Sequence, residues 1–315
     1  MKPAVAWFGT AVLLTFLALT TDFDAAWMAF KGVNILAFVA VALGAALGSY
    51  LIDTLSLRFI LRAVGIKVGF FEFLKVKGAS YLLNIINYNL ALVLMAAVVK
   101  RRTERGWASS GSPFVMLNFI DLTVFGGLTV GAIIAGASPF EDVTTRIVGL
   151  IALGGFLAGP SLMAITRIKK GPAWLLKIVN HNLLEAFARI SFGNMLLAIL
   201  ARSMLVLLYA VMNHLFLGLY GADVSIPNLL VYMPILSIVG FIPISISGLG
   251  STQVLARRFY GPHVTTVTGE SAQFGVIDAF STTSILTIML LRVVVGLICT
   301  PFVTKMLADS PKEQQ

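Results

Sequence analysis

The stretch Tyr232–Gln253, YMPILSIVGFIPISISGLGSTQ, decides how this chain is read. It is apolar enough to enter a bilayer, but Pro234, Gly240, Pro243, Gly248 and Gly250 interrupt it. Proline removes a backbone donor and collides with the preceding turn, and glycine accepts the positive φ of a tight reversal. Backbone groups freed in this way need partners inside lipid, so a broken segment survives only against protein or a wet cavity. Segments of this kind form substrate sites in transporters. A kinked but continuous helix is the plainer reading of the same residues, since membrane helices carry many prolines and glycines.

The surroundings of that stretch are equally apolar. Of 315 residues, 58% are hydrophobic and 12% charged, against about 25% charged in soluble domains. The mean hydropathy is +0.93. An all-α, polytopic membrane helix bundle follows, a single transmembrane domain over 1–315. The net charge of +9 lies in short loops between apolar runs, which suits a positive-inside orientation and excludes a nucleic-acid partner. Cys299 is the sole cysteine, so an intrachain disulfide, a zinc cage and an iron–sulfur site are excluded. His181, His214 and His263 are far apart in the chain, and no His-Glu-x-x-His or Gly-x-Ser-x-Gly spacing occurs. Gly248-Leu249-Gly250 lacks the third glycine of a dinucleotide loop, which Gln253 replaces, and no strand precedes it. No metal site, cofactor or catalytic constellation is expected.

The apolar runs predict about six full spans and two re-entrant segments. Ala4–Thr20 reads as an uncleaved first span and Val33–Asp53 as the second, where Gly44-x-x-x-Gly48 suits close helix packing. Thr54–Lys77, with Arg58, Arg62, Lys67, Lys75 and Lys77, reads as a surface helix. Gly78–Val99 has basic residues on both sides, so a dip and return keeps both inside, with Asn84, Asn87 and Asn89 at its tip. Pro113–Ala137, Arg146–Ile165, Gly193–Leu217 and Ser271–Thr300 supply the remaining spans. Gly171–Phe192 reads as a second surface segment, and Asn228–Gly250 dips from outside before an external Ser251–Gly269. This parse puts 17 of the 23 basic residues inside with both termini, four outside (Lys31, Arg146, Arg257, Arg258), and Arg202 and Arg292 within the membrane. It predicts a multi-pass protein of the cell's inner membrane. Each half then runs span, span, dip, span, which admits an inverted repeat of 1–140 and 141–305.

Charges inside spans are costly and mark function or pairing. Asp121 and Asp278 lie near the starts of their spans; they either pair with arginines, bind a cation or proton, or satisfy broken backbone. Arg202 lies about 13 Å into its span by helical rise, where its guanidinium suits a lipid phosphate. Arg292 reads as snorkelling to the inner surface. Around the glycine turn, Ser245, Ser247, Ser251, Thr252 and Gln253 cluster. Ser251 or Thr252 is expected to cap a helix over Gln253–Tyr260, whose amide donors, with Arg257 and Arg258, either face a phosphate or merely touch headgroups.

Ile242–Gln253, IPISISGLGSTQ, resembles the Pro-x-Ser-x-x-Gly-x-Gly-x-x-Glu signature of the lysylphosphatidylglycerol synthase transmembrane, or flippase-like, family. Pro243, Ser245, Gly248 and Gly250 match, and Gln253 stands where that family has glutamate. Asn118-Phe119-Ile120-Asp121 is similar to its Arg-x-x-Asp element, with Asn118 in place of arginine. The family's Pro-x-x-x-Gly-Glu element is not visible in NIINYNLALVLM. The resemblance implies a bundle with re-entrant segments that moves a membrane lipid between leaflets, or helps to. The substrate-binding residues expected on these grounds are Asp121, Arg202, Pro243, Ser245, Ser247, Gly248, Gly250, Ser251, Gln253, Arg257 and Asp278. The alternative is an accessory subunit that docks a lipid-modifying or glycosyl-transferring enzyme.

Overall fold

The computed structural model describes residues 12, 15–86, 88–103, 105–137, 140, 142–168, 172, 177, 179, 181–241 and 250–308. Among them there is no strand, and an isolated bridge joins Ala222 to Val264. After the helical end of the first span at 15–20, eleven α-helices follow: α1 Phe23–Gly32, α2 Ile35–Ala63, α3 Phe70–Ile86, α4 Tyr88–Thr103, α5 Trp107–Ile134, α6 Asp142–Ile165, α7 Glu185–Arg189, α8 Phe192–Leu219, α9 Ile226–Phe241, α10 Ser251–Tyr260 and α11 Glu270–Ala308. The five long ones, α2, α5, α6, α8 and α11, have the length and apolar composition to cross a membrane. Their outward faces carry large bare apolar side chains such as Leu36, Ile134, Leu150, Leu196 and Leu290, more contiguous apolar surface than water tolerates. The bundle is the polytopic all-α architecture expected.

Both interrupted segments are helical hairpins. Glu72, in the first turn of α3, meets Arg102, in the last turn of α4, at 2.6 Å. Laid end to end, two helices of 17 and 16 residues would hold those turns about 45 Å apart by helical rise, so the chain folds back between Ile86 and Tyr88. In the second hairpin Tyr232 of α9 stacks on Phe259 of α10, ring centroids 4.8 Å apart. The Ala222–Val264 bridge and the bond from Asp223 N to His263 O clasp its mouth.

The two mouths lie at opposite ends of α11. Lys75 Nζ sits 4.3 Å from the Phe302 ring centroid, and Arg101 donates to Ala308 O, so the first mouth is at the C-terminal end. The second mouth packs on the N-terminal half, where Phe280 meets Tyr220 and Tyr260. The order of elements repeats as well. Helix, short helix, long helix, hairpin, long helix describes 15–20 through α5, and again α6 through α11. Packing follows that order: α2 lies against α8, α11 against α3, and α5 against α9.

Three boundaries differ from those expected. Thr54–Lys77 is not a surface helix: α2 runs on to Ala63, burying Leu57, Ile60 and Leu61, and Phe70–Lys77 begins α3. Gly65, at φ +84°, stops α2 by letting Ile66 N bond back to Leu61 O. In Ser251–Gly269 the expected helix begins two residues earlier, as α10 at Ser251, and packs between α9 and α11. The last helix continues past Thr300 to Ala308. The Gly44-x-x-x-Gly48 pair does pack as expected, against Met212 and Leu208 of α8. At the basic end, α7 and the 3-10 turn Asn182–Leu184 lie under α5, where Ser112 Oγ accepts from Ala186 N at 2.8 Å.

Candidate functional site

Two buried clusters of charge occupy the bundle, one at each hairpin. In the first, α2, α3, α5 and α8 converge. Arg202 Nε donates to Asp121 Oδ1 at 2.6 Å and its Nη2 to Asp121 Oδ2 at 2.8 Å. Its Nη1 bonds Asp53 Oδ1 and, at 3.3 Å, Ser56 Oγ. Lys77 Nζ contacts the other Asp53 oxygen at 2.6 Å. Two cations therefore face two carboxylates, and four of the five guanidinium N–H groups of Arg202 are occupied. Desolvated charges persist only when paired and hydrogen-bonded in this way.

In the second cluster, Arg257 of α10 reaches Asp278 of α11 with a two-point contact, Nε to Oδ1 at 2.7 Å and Nη2 to Oδ2 at 2.5 Å. Thr20 Oγ1 accepts from Nη1 at 2.6 Å, and Nη2 is shared with Thr21 Oγ1 at 2.7 Å and Leu17 O at 3.3 Å. Arg257 is 4% exposed and sealed against Asp278, whereas its neighbour Arg258 is exposed. The helix cap also differs from expectation. Gly250, not Ser251 or Thr252, is the N-cap, at φ +90°, and Gln253 Oε1 accepts its N–H at 3.2 Å. Gln253 Nε2 then donates to Thr282 Oγ1 at 3.3 Å, tying the start of α10 to α11.

Beside this second cluster lies a groove of about 860 Å³. Leu17, Phe23, Trp27, Phe30 and Leu286 wall it, and Thr21, Gln253, Asp278 and Thr282 line its polar part. α1 forms one side. Its Asp22 cap and its backbone seat closely on α11, where a Cβ at Gly275 would come within 2.6 Å of Asp22 O. The groove is thus apolar along its length with a few convergent polar groups, the make-up of a site for an amphipathic molecule.

Of the residues singled out in the sequence, Asp121 meets Arg202, while Asp278 meets Arg257 of α10, the helix that Gly250 caps and whose first turn holds Ser251 and Gln253. Pro243, Ser245, Ser247 and Gly248 lie outside the described residues. The two clusters share no residue. Sequence reasoning missed Asp53 and Lys77, although both sit within apolar runs once α2 is carried to Ala63 and α3 begun at Phe70. Thr20 and Thr21 carried no signal; hydroxyls at a helix end are commonplace.

The comparisons with known proteins agree with this architecture. No curated protein matches the chain. The sequence model described as "Lysylphosphatidylglycerol synthase TM region" matches residues 3–289, from the first span through the hairpins and both ion clusters into α11. The chain is accordingly a multi-pass membrane protein, and it belongs to the lysylphosphatidylglycerol synthase TM region family.

Proposed function

We propose that this protein moves an amphipathic lipid between leaflets, with acyl chain held in the groove beside α1 and headgroup passing the polar residues of the second hairpin. The groove carries this reading. Its apolar walls suit hydrocarbon, and Gln253, Thr282 and the Asp278 carboxylate on its lining offer a headgroup hydrogen bonds that lipid does not. Hairpins entering from opposite ends suit a path reached from either side, and the like packing of the two element series supports reading them as halves of an inverted repeat. The basic residues around the first mouth, Lys67, Lys100, Arg101 and Arg105 among them, favour a cytoplasmic side there.

The test is leaflet exchange in liposomes. The purified protein should speed exchange of labelled phospholipid or polyprenyl-phosphate lipid. Gly250→Leu should stop it, because a side chain at φ +90° unseats the cap that orients Gln253. Gly131→Leu, at a position where a Cβ meets nothing within 4 Å, should keep it. No exchange above empty liposomes across anionic, zwitterionic and carrier lipids, with and without an ion gradient, would overturn the proposal and bring the enzyme-docking alternative forward.

A further inference from the structure

Resting on the translocation reading, we propose that Arg292, together with Tyr81, is a binding centre for the phosphate of a lipid headgroup, and that Arg202 is not. Arg292 belongs to α11, three residues past the midpoint of its 39. Its guanidinium is turned inward onto α3, whose Leu82 packs at Gly296 one turn further along α11. Among the described residues it has no carboxylate partner; its neighbour is the ring of Tyr81, 5.4 Å from its guanidinium carbon. Lys77 Nζ lies 5.7 Å from the centroid of the same ring.

The charges decide what such a place takes. Lys77 and Arg202 are balanced by Asp53 and Asp121, and Arg257 by Asp278. Among the described residues Arg292 is left over, a positive charge beside the first hairpin with no carboxylate against it, which is costly wherever hydrocarbon surrounds it. Water, a free anion or a headgroup must supply the missing counter-charge. A phosphodiester carries a single negative charge, which neutralises the excess without overshooting it. It also presents two oxygens to the guanidinium fork. Tyr81 is 6% exposed and its hydroxyl makes no hydrogen bond among the described residues, so the phenol is free to donate to the same phosphate.

Binding, read separately from exchange, tests this. Native mass spectrometry of the purified full chain would be run with phosphatidylglycerol, with diacylglycerol as a lipid lacking phosphate, and with inorganic phosphate. We expect Arg292→Gln to lower phosphatidylglycerol occupancy about tenfold, Arg292→Lys to restore only part of it because an ammonium lacks the fork, Tyr81→Phe to lower it severalfold, and diacylglycerol binding to stay unchanged. Equal occupancy in wild type and Arg292→Gln would overturn the proposal, as would diacylglycerol binding as well as phosphatidylglycerol. Displacement of the lipid by millimolar inorganic phosphate would assign the site to a free anion instead. A wild-type arm covers a variant that does not purify: a phosphatidylglycerol bearing a headgroup photocrosslinker should mark peptides within 78–86 or 285–296, and marks confined elsewhere would refute the site. Bound lipid with no leaflet exchange would sink the translocation reading while leaving this centre standing.

Discussion

At the scale of single residues, the buried ion pairs are structural elements whose members depend on one another. Arg257 and Asp278 are each almost wholly buried and make a two-point contact. Removing one leaves the other charged without a partner, which costs about 3–5 kcal/mol, whereas replacing both with apolar groups is far milder. Thr20 and Thr21 keep their own bonds to Phe16 O and Leu17 O in either case. Arg257→Leu and Asp278→Leu should therefore each lower the thermal midpoint in detergent markedly, and the double variant should recover much of the loss; a double variant as unstable as the sum of the singles would show the pair is not coupled. The same pairing explains what the sequence left unread at Asp53. A charge inside an apolar run looks like the end of a span, which is why the sequence ends the second span at Asp53. What makes the charge tolerable lies 24 residues on, at Lys77, and 149 residues on, at Arg202, and no local pattern reports a partner at that distance.

At the scale of elements, helix existence was legible and helix geometry was not. Apolar length fixed the crossing helices, and basic residues on both sides of Gly78–Val99 indicated a hairpin that Glu72 and Arg102 then close. In the second hairpin Arg257 and Arg258 look alike in sequence, and only packing separates them: one is sealed against Asp278 and the other is exposed. Closeness of packing also depends on the partner surface. On α5, a Cβ at Gly126 would fall 2.2 Å from Ala152 O and 2.4 Å from Phe156 N of α6, both backbone atoms that cannot move aside, whereas one at Gly131 meets nothing within 4 Å. The same substitution should then act with opposite signs. Gly131→Ala should stabilise by up to about 1 kcal/mol through helix propensity. Gly126→Ala should destabilise by about 1–3 kcal/mol, because α5 and α6 must part to admit the methyl group. Thermal unfolding of the two variants side by side reads this, and like-signed shifts would contradict the close α5–α6 approach.

At the scale of the whole molecule, the decisive quantity is the relation between the two mouths. α11 is about 58 Å long by helical rise, well beyond a hydrocarbon core of about 30 Å, and it touches the first mouth near Phe302 and Ala308 and the second near Phe274 and Phe280. If α11 crosses the membrane, the two mouths open on opposite faces. The basic residues then fix which is which: Lys100, Arg101, Arg102 and Arg105 surround the first mouth, whereas Asp22, Asp24, Asp223 and Glu270 gather toward the second. Positive charge is retained on the cytoplasmic side, so the first mouth is expected inside and the second outside. The buried Cys299 can be replaced by serine to give a thiol-free background. In it, Arg105→Cys should resist an impermeant maleimide in intact cells and react after permeabilisation, while the exposed Thr268→Cys should react at once. Labelling of 105 with protection of 268 would invert the orientation and keep the architecture. Labelling of both from the same side would mean that α11 does not carry the chain across between Glu270 and Ala308, and the opposed hairpins, with the two-sided path they allow, would fall with it.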